Sequence, residues 1–190
     1  MSSHFYAMMS RMKNIQRWGL MRNTRPENLS EHTLEVAFIA HALAIIKNRR
    51  FGGNVDQNAV AVAAMFHDTS EIITGDMPTP IKYYNADIKN VYKEIEGIAQ
   101  GRLIGLLPED LRDDFVPAYN PDSETARLVK AADKISALIK CIEERNSGNT
   151  EFSSAEKSTL EAIKKMNMPE ADMFLDEFLS SYSLTLDELK

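Results

Sequence analysis

The residue types most able to do chemistry in this chain stand together at Met65–Glu71, at the end of a run of small apolar residues. Adjacent His67 and Asp68 offer an imidazole nitrogen and a carboxylate oxygen, which together suit a borderline divalent metal ion. If the helix continues, Glu71 lies on the same side as this pair. A carboxylate beside a metal can handle the proton of an attacking water. A lone His-Asp pair is also typical of an ordinary helix end, so the rest of the chain must supply further ligands.

Two further residues are candidate ligands. His32 lies in the first turn of a helix that Ser30 is predicted to cap, where the helix dipole favours the neutral imidazole that a metal needs. A surface histidine is the alternative interpretation. Asp133 lies on or beside an apolar stripe that includes Val129, and an ionised carboxylate there is costly unless it is paired or binds a cation. A salt bridge would satisfy Asp133 equally well. His41 is roughly half a turn out of phase with His32, and we assign it to packing.

The composition limits the classes of protein to which this chain could belong. A chain of 190 residues is long enough for one domain with a sizeable core. The net charge of −6 argues against a nucleic acid polymer as partner. The single cysteine, Cys141, cannot form an internal disulfide, which favours the cytoplasm. The longest apolar run, 36–46, is too short to span a bilayer, and we expect no membrane partner.

Glycines and prolines separate long helical patterns, and no clear run of alternating strands occurs. We therefore predict one all-α domain over 1–190, with a core at about 28–145, an N-terminal helix at 2–16 that supplies substrate contacts, and a tail of about ten residues. In the second helix, further apolar residues flank a stripe, and this density indicates a mostly buried helix; the stripe consists of Leu34, Ala37, Phe38, His41, Ala42 and Ile45. The helices predicted after the first are Ser30 to Arg50, Asp56 or Asn58 to the His67-Asp68 pair, 81–107, a short helix from Pro108 that Pro117 ends, Asp122 or Ser123 to Arg145, 153–166 and 169–180.

An ordered set of motifs runs through nearly the whole chain. It consists of Ile15–Trp18, Asn28–His32, Lys47–Gly53 (KNRRFGG), His67–Glu71, Thr74–Pro80 and Lys130–Asp133. This set resembles the HD-domain superfamily of metal-dependent phosphohydrolases, and it is most similar to the bacterial 5′-deoxynucleotidases of the YfbR type. No functional position departs from the pattern. The resemblance implies a helical bundle with a metal site at its centre.

The resemblance also implies a set of site residues. One divalent transition metal ion would be held by His32, His67, Asp68 and Asp133. Mixed nitrogen and oxygen ligands fit cobalt, manganese or copper better than calcium, with magnesium and zinc as further candidates. Glu71 would be the catalytic residue, as the base or the acid. The implied substrate contacts are Arg17, Trp18, Asp76, Met77, Pro78 and Thr79.

Three of these substrate residues have distinct implied roles. Arg17 can make a paired contact with phosphate that lysine would not reproduce. Trp18 would lie against the sugar and exclude a 2′-hydroxyl by bulk, although a core aromatic is the alternative. Asp76 would accept from the sugar 3′-hydroxyl, or else cap the following helix.

We therefore expect a phosphomonoesterase that converts deoxyribonucleoside 5′-monophosphates to deoxyribonucleosides and phosphate, with weak discrimination between bases. A homodimer is expected as well. The alternatives are an HD phosphodiesterase, a deoxynucleoside triphosphohydrolase, a non-catalytic nucleotide sensor, and a helical interaction module with a structural metal.

Overall fold

The computed structural model describes residues 2–82 and 84–190, with the side chain of Thr79 outside that description. Helices dominate these ranges, no strand forms within them, and an isolated antiparallel bridge joins Gln16 and Asn28. The α-helices are α1 (Phe5–Met9), α2 (Leu29–Arg50), α3 (Gln57–Phe66), α4 (Glu71–Thr74), α5 (Thr79–Lys82), α6 (Ala86–Gly105), α7 (Arg112–Tyr119), α8 (Ser123–Asn146), α9 (Ser153–Lys165) and α10 (Pro169–Phe178). Short 3-10 helices lie at Ser10–Asn14, Glu109–Leu111, Thr150–Phe152 and Leu179–Ser183. The prediction of an all-α fold is confirmed.

Helices α2, α3 and α8 pack against one another at the centre of the bundle, while α9 packs on α8 and α10 packs on α2. Their shared core is almost entirely aliphatic, and its members include Val36, Leu43, Val60, Leu128, Ile135 and Ile139. Full burial of one such side chain is worth about 1.5–3 kcal/mol, so this core is the main source of stability. By length and composition α2 could cross a membrane, but 56% of its most apolar window is buried inside the bundle, as expected of a core helix.

The start of α2 is set by a capping box. The side chain of Asn28 accepts from the backbone N–H groups of Ser30 and Glu31, and the Glu31 side chain accepts from the Asn28 N–H. The prediction that Ser30 caps this helix is therefore wrong by two residues. The side-chain amide oxygen of Asn28 already accepts from the free N–H groups of the first turn, so the cap lies at Asn28.

Two residues of the apolar stripe predicted on α2 are exposed in the structure. Leu34 and Phe38 are 54% and 68% exposed, whereas Val36 and Ala40 on the other side of the helix are fully buried. Apolar residues surround this helix on nearly all sides, so their spacing alone could not identify the side that faces the core.

Three other helix boundaries differ from prediction. The N-terminal helix tightens into a 3-10 turn at Ser10, whose hydroxyl donates to the Ala7 carbonyl at 2.8 Å. The helix predicted over 81–107 is divided, because Asn85 adopts an extended backbone and caps a new helix, α6. Pro117 lies inside α7 and does not end it; its ring removes one hydrogen bond, and the burial of Ala118 and Tyr119 offsets that loss.

A buried ion pair ties the irregular segment before α2 to the bundle. Lys140 and Glu144, both on α8, are 5% and 1% exposed and form this pair one helical turn apart. The Glu144 carboxylate also accepts from the backbone and hydroxyl of Thr24 and from Asn149, and Lys140 donates to the Arg25 carbonyl. Burial alone would raise the pKa of Glu144, but the hydrogen bonds from Lys140, Thr24 and Asn149 lower it well below its usual value.

We expect Glu144→Gln to lower the free energy of unfolding at pH 7 by about 3 kcal/mol, because Lys140 would keep a buried charge without its counter-ion. Since the pKa of Glu144 is depressed in the folded state, its contribution is present near neutral pH and is lost progressively below a pH of about 4. Urea unfolding of both proteins from pH 7 to pH 3 measures this. The two stabilities should converge on acidification, and a constant difference would contradict the role of the charge.

Candidate metal and substrate site

Side chains from three parts of the bundle converge near its centre. His32 comes from the first turn of α2, His67 and Asp68 follow the end of α3, and Asp133 comes from α8. One ligand atom from each of these residues lies within 4.8 Å of every other. His67 follows α3 with helical backbone angles, and a tight turn over 67–70 leads into α4 at Glu71 in place of the predicted continuous helix to Asp68.

The hydrogen bond of His67 selects its tautomer. The Nδ1 atom lies 2.7 Å from the Ala64 carbonyl, which can only accept, so Nδ1 carries the proton. In the neutral ring, Nε2 then holds the lone pair. This Nε2 is buried without a hydrogen-bond partner, although it lies 3.1 Å from the Asp68 carboxylate.

His32 presents a second unpartnered nitrogen to the same carboxylates. Its buried Nε2 lies 3.2 Å from Asp133 and 3.5 Å from Asp68, again without hydrogen-bond geometry. Two imidazole nitrogens and two carboxylates therefore face one another in an electron-rich pocket. The residues present therefore fit a divalent metal ion.

Without a cation in this pocket, protons compete for the imidazole nitrogens. Burial lowers the pKa of both histidines, but Asp133 and Asp68 raise that of His32 overall, and Asp68 raises the pKa of His67 to about 9. Burial likewise opposes ionisation of Asp68 and Asp133, yet the histidines lower the pKa of each carboxyl group. The expectation of a lowered pKa for His32 is therefore wrong, because the facing carboxylates raise it.

Glu71 is a buried carboxyl group with a free oxygen. The residue is 4% exposed, and its Oε2 atom has no hydrogen-bond partner among the described residues. Burial, together with the charges of Asp68 and Asp76, raises the pKa of Glu71 to about 9. A cation held by the neighbouring ligands would oppose this shift, so Glu71 is suited to exchange a proton near neutral pH.

Arg17 brings a positive charge to the edge of the cluster. Its Nη1 lies 3.4 Å from the Asp68 carboxylate, and its side chain is only 12% exposed. Its Nε donates to Glu27 at 3.2 Å, and the same Glu27 oxygen accepts from the indole N–H of Trp18 at 2.8 Å. Glu27 thus holds both side chains, a function that its position in the sequence does not signal.

Trp18 is half-buried and has an unusual backbone. Its φ of 59° lies in the left-handed region, and its ring packs on Phe152 with centroids 5.3 Å apart. Burial raises the pKa of Asp76, while nearby Arg17 and a hydrogen bond from the Trp18 backbone oppose that rise. These interactions place Asp76 beside Arg17 and Trp18, so the structure groups these three predicted substrate residues next to the metal cluster.

The remaining predicted residues are less closely tied to the cluster. Met77 and Pro78 are half-buried in the loop between α4 and α5, where the Pro78 carbonyl accepts from the first turns of α5. The side chain of Thr79 lies outside the described residues. A cavity of about 260 Å³ opens beside His67 and Asp133, and its lining does not include Arg17, Trp18 or Glu71.

The sequence matches the family described as 5′-deoxynucleotidase YfbR-like over residues 4–182. A curated 5′-deoxynucleotidase from Pectobacterium atrosepticum is 51% identical to it, and the alignment covers 98% of this chain and 96% of that protein. Another, from Vibrio parahaemolyticus, is 48% identical with 98% of each chain covered.

Solved structures agree on the fold. An HD-domain phosphohydrolase from Listeria innocua superposes with a TM-score of 0.81 at 22% identity, with 94% of this chain and 88% of that chain covered. These similarities cover nearly the whole chain and accompany an HD-type cluster at its centre; the chain belongs to the YfbR-like 5′-deoxynucleotidase family within the HD-domain phosphohydrolase fold.

Proposed function

We propose that this protein is a metal-dependent phosphomonoesterase that hydrolyses deoxyribonucleoside 5′-monophosphates to deoxyribonucleosides and phosphate. The observation that carries the proposal is the convergence of Arg17, Glu71 and the His/Asp cluster on one buried place. Relatives that are about half identical over the whole chain are named 5′-deoxynucleotidases, which supports the same reaction here.

The metal ligands in this proposal are His32, His67, Asp68 and Asp133, whose donor atoms already lie together. When bound, a divalent ion supplies positive charge that stabilises the phosphoryl oxygens as the ester bond breaks. Cobalt, manganese or copper match the mixed donors, with magnesium or zinc as further candidates. Zinc gains support from a cyanophage S-2L HD phosphohydrolase described as bound to dA and one catalytic Zn²⁺, which shares this fold with a TM-score of 0.67.

In this proposal Arg17 binds the phosphate. Its guanidinium lies at the edge of the cluster, where Glu27 orients it through Nε and Nη1 lies 3.4 Å from Asp68, and its terminal nitrogens would turn toward phosphate oxygens. Two parallel hydrogen bonds from a planar guanidinium fix the phosphate in orientation as well as in place. The scissile bond is thereby held next to Glu71.

Glu71 handles the proton of the reaction. As a base it takes the proton of the water that attacks phosphorus, and as an acid it gives a proton to the departing 5′-oxygen. Its free Oε2 and its raised pKa suit either step. Both steps occur in sequence when one carboxyl group serves them in turn.

Trp18 and Asp76 would recognise the sugar. The hydrogen bond from Trp18 to Glu27 and the contact with Phe152 fix the indole, so its bulk can reject a 2′-hydroxyl by steric clash. Asp76 would accept a hydrogen bond from the 3′-hydroxyl, and Met77, Pro78 and Thr79 would complete that side of the site. We propose weak selectivity for the base, because no second aromatic or amide cluster is recognisable as a base reader.

We further propose a cytoplasmic homodimer. Leu34 and Phe38 lie one turn apart on α2 and are both more than half exposed, which leaves an apolar strip that a second copy would cover. Sedimentation equilibrium of the wild type and of Phe38→Glu tests this, because the charged variant should be monomeric where the wild type is a dimer. A monomeric wild type would refute the proposal.

The first experiment adds cobalt, manganese, magnesium or zinc singly to metal-stripped protein, with paired deoxyribo- and ribonucleoside 5′-monophosphates, and measures free phosphate. We expect metal-dependent release from the deoxy member of each pair. Release of pyrophosphate or tripolyphosphate from triphosphates, or hydrolysis of cyclic nucleotides alone, would instead identify a triphosphohydrolase or a phosphodiesterase.

Glu71→Ala should lose most turnover, at least 100-fold in kcat, because a positioned acid or base contributes about 10²–10⁴-fold. Metal and substrate binding should persist, since Glu71 is not among the proposed ligands. Glu71→Gln is the matched variant, because it keeps the shape of the side chain and removes only proton transfer. Wild-type kcat in either variant would refute this role.

Trp18→Ala should admit ribonucleotides, raising kcat/KM for the ribo member toward that for the deoxy member. Trp18→Phe keeps a flat ring and should keep more of the selectivity. The ratio of the two kcat/KM values is the readout. If the ratio is unchanged in Trp18→Ala, Trp18 is not the selectivity residue.

A further inference from the structure

Two helices each contribute a metal-ligand candidate and a polar residue three positions further on. On α2 these are His32 and Glu35, and on α8 they are Asp133 and Ser136. Residues three apart lie on the same helix face, so each ligand has its polar neighbour directly beside it. Because α2 and α8 pack together, the two neighbours meet across the interface.

The meeting point is a short chain of hydrogen bonds. The Ser136 hydroxyl donates to the Glu35 carboxylate at 2.5 Å, and Nδ1 of His32 lies 3.1 Å from the same hydroxyl oxygen. Ser136 is fully buried and His32 is 1% exposed, so water does not compete for these contacts. These hydrogen bonds run from the half-buried Glu35 carboxylate on α2 to the Ser136 hydroxyl on α8, and from there back to the His32 imidazole on α2.

The chemistry of the donors fixes the direction of the chain. An ionised carboxylate can only accept, so the single hydroxyl proton of Ser136 is used on Glu35. The Ser136 oxygen therefore has only lone pairs to offer His32, and Nδ1 of His32 must carry the proton. The lone pair of the neutral ring then lies on Nε2, which faces Asp68 and Asp133.

We propose that Glu35 and Ser136 are positioning residues for the metal, which select the tautomer and the ring orientation of His32. The proposal rests on the metal site proposed above and extends it to two residues outside the ligand set. A hydrogen-bonded partner behind a ligating histidine also makes the ligating nitrogen more basic, and loss of such partners typically weakens metal binding by 10–100-fold.

A purely structural role makes a different prediction. The contact between α2 and α8 is already provided by aliphatic residues such as Leu43, Leu128 and Ile135. Removal of one hydroxyl from this interface should therefore leave the fold intact. A neighbouring residue offers a control, because Thr33 also buries a hydroxyl, and that hydroxyl has no hydrogen-bond partner.

The test measures the Kd for Co²⁺ by competition with a colorimetric chelator at pH 7, together with the unfolding midpoint of the metal-free protein. We expect Ser136→Ala and Glu35→Ala to bind Co²⁺ about 10–100-fold more weakly than the wild type. Ser136→Thr keeps the hydroxyl and should restore most of the affinity. Thr33→Val, the matched control, should bind like the wild type.

The outcomes separate this proposal from the site on which it depends. If the wild type binds no Co²⁺, the metal site and the proposal both fail. If the wild type binds and Ser136→Ala binds equally well, only the positioning role is wrong, and an equal loss in Thr33→Val would show general loosening instead.

A second measurement uses only the wild type, so it does not depend on whether a variant folds. Long-range proton–nitrogen NMR spectra of the metal-free wild type, at a pH where the ring is neutral, distinguish a protonated Nδ1 from a protonated Nε2. We expect the Nδ1–H form of His32. A dominant Nε2–H form would overturn the proposal, because the lone pair would then face Ser136 and not the carboxylates.

Discussion

The structure depends on one electrostatic constraint: two carboxylates, from Asp68 and Asp133, face two imidazole nitrogens in a partly buried place, with Arg17 as a neighbouring cation 3.4 Å from Asp68. Ionised groups in such surroundings are costly unless a cation or protons balance them. The raised pKa of both histidines is the response of the metal-free protein. A divalent ion would balance the same negative charge in place of protons. Protons and the metal ion therefore compete for the same ligand atoms, and the geometry of those atoms determines the affinity for both.

That constraint orders the charges around it. Arg17 lies against Asp68, and Glu27 in turn binds Arg17, so positive and negative groups alternate outward from the cluster. Glu71 does not belong to this alternating series, because it is buried with an oxygen that accepts no hydrogen bond from the described part of the chain. A carboxyl group kept in that condition costs stability, and such a cost is typical of a residue retained for its reactivity.

The sequence predicted the helical class, the family and the residues that form the cluster. The cluster residues could be recognised because each carries a local signal: a His-Asp pair, a histidine in a first turn, or an acid beside an apolar stripe. The family assignment is confirmed. What the sequence could not predict depends on contacts between distant segments. In the sequence, nothing distinguishes Glu27, Glu35 and Ser136 from other polar residues. Folding brings Glu27 to Arg17 and Trp18, and it brings Glu35 and Ser136 to His32. Likewise, Leu34 and Phe38 look like core residues in the sequence, because apolar residues lie on nearly all sides of α2.

The proposed metal ligands and the proposed sugar contact lie on different kinds of backbone. The four clustered side chains rise from α2, from the end of α3 and from α8, where packing restricts movement of the backbone. Trp18 instead sits on irregular chain, at a φ of 59° that a bulky residue seldom adopts. Such a conformation persists only where surrounding contacts hold it. Here Glu27 and Phe152 hold the indole, while Glu144 anchors the neighbouring segment to α8 at Thr24. The residue proposed to read the sugar is therefore positioned through its neighbours, so its selectivity should respond to changes in those contacts that leave the metal ligands untouched.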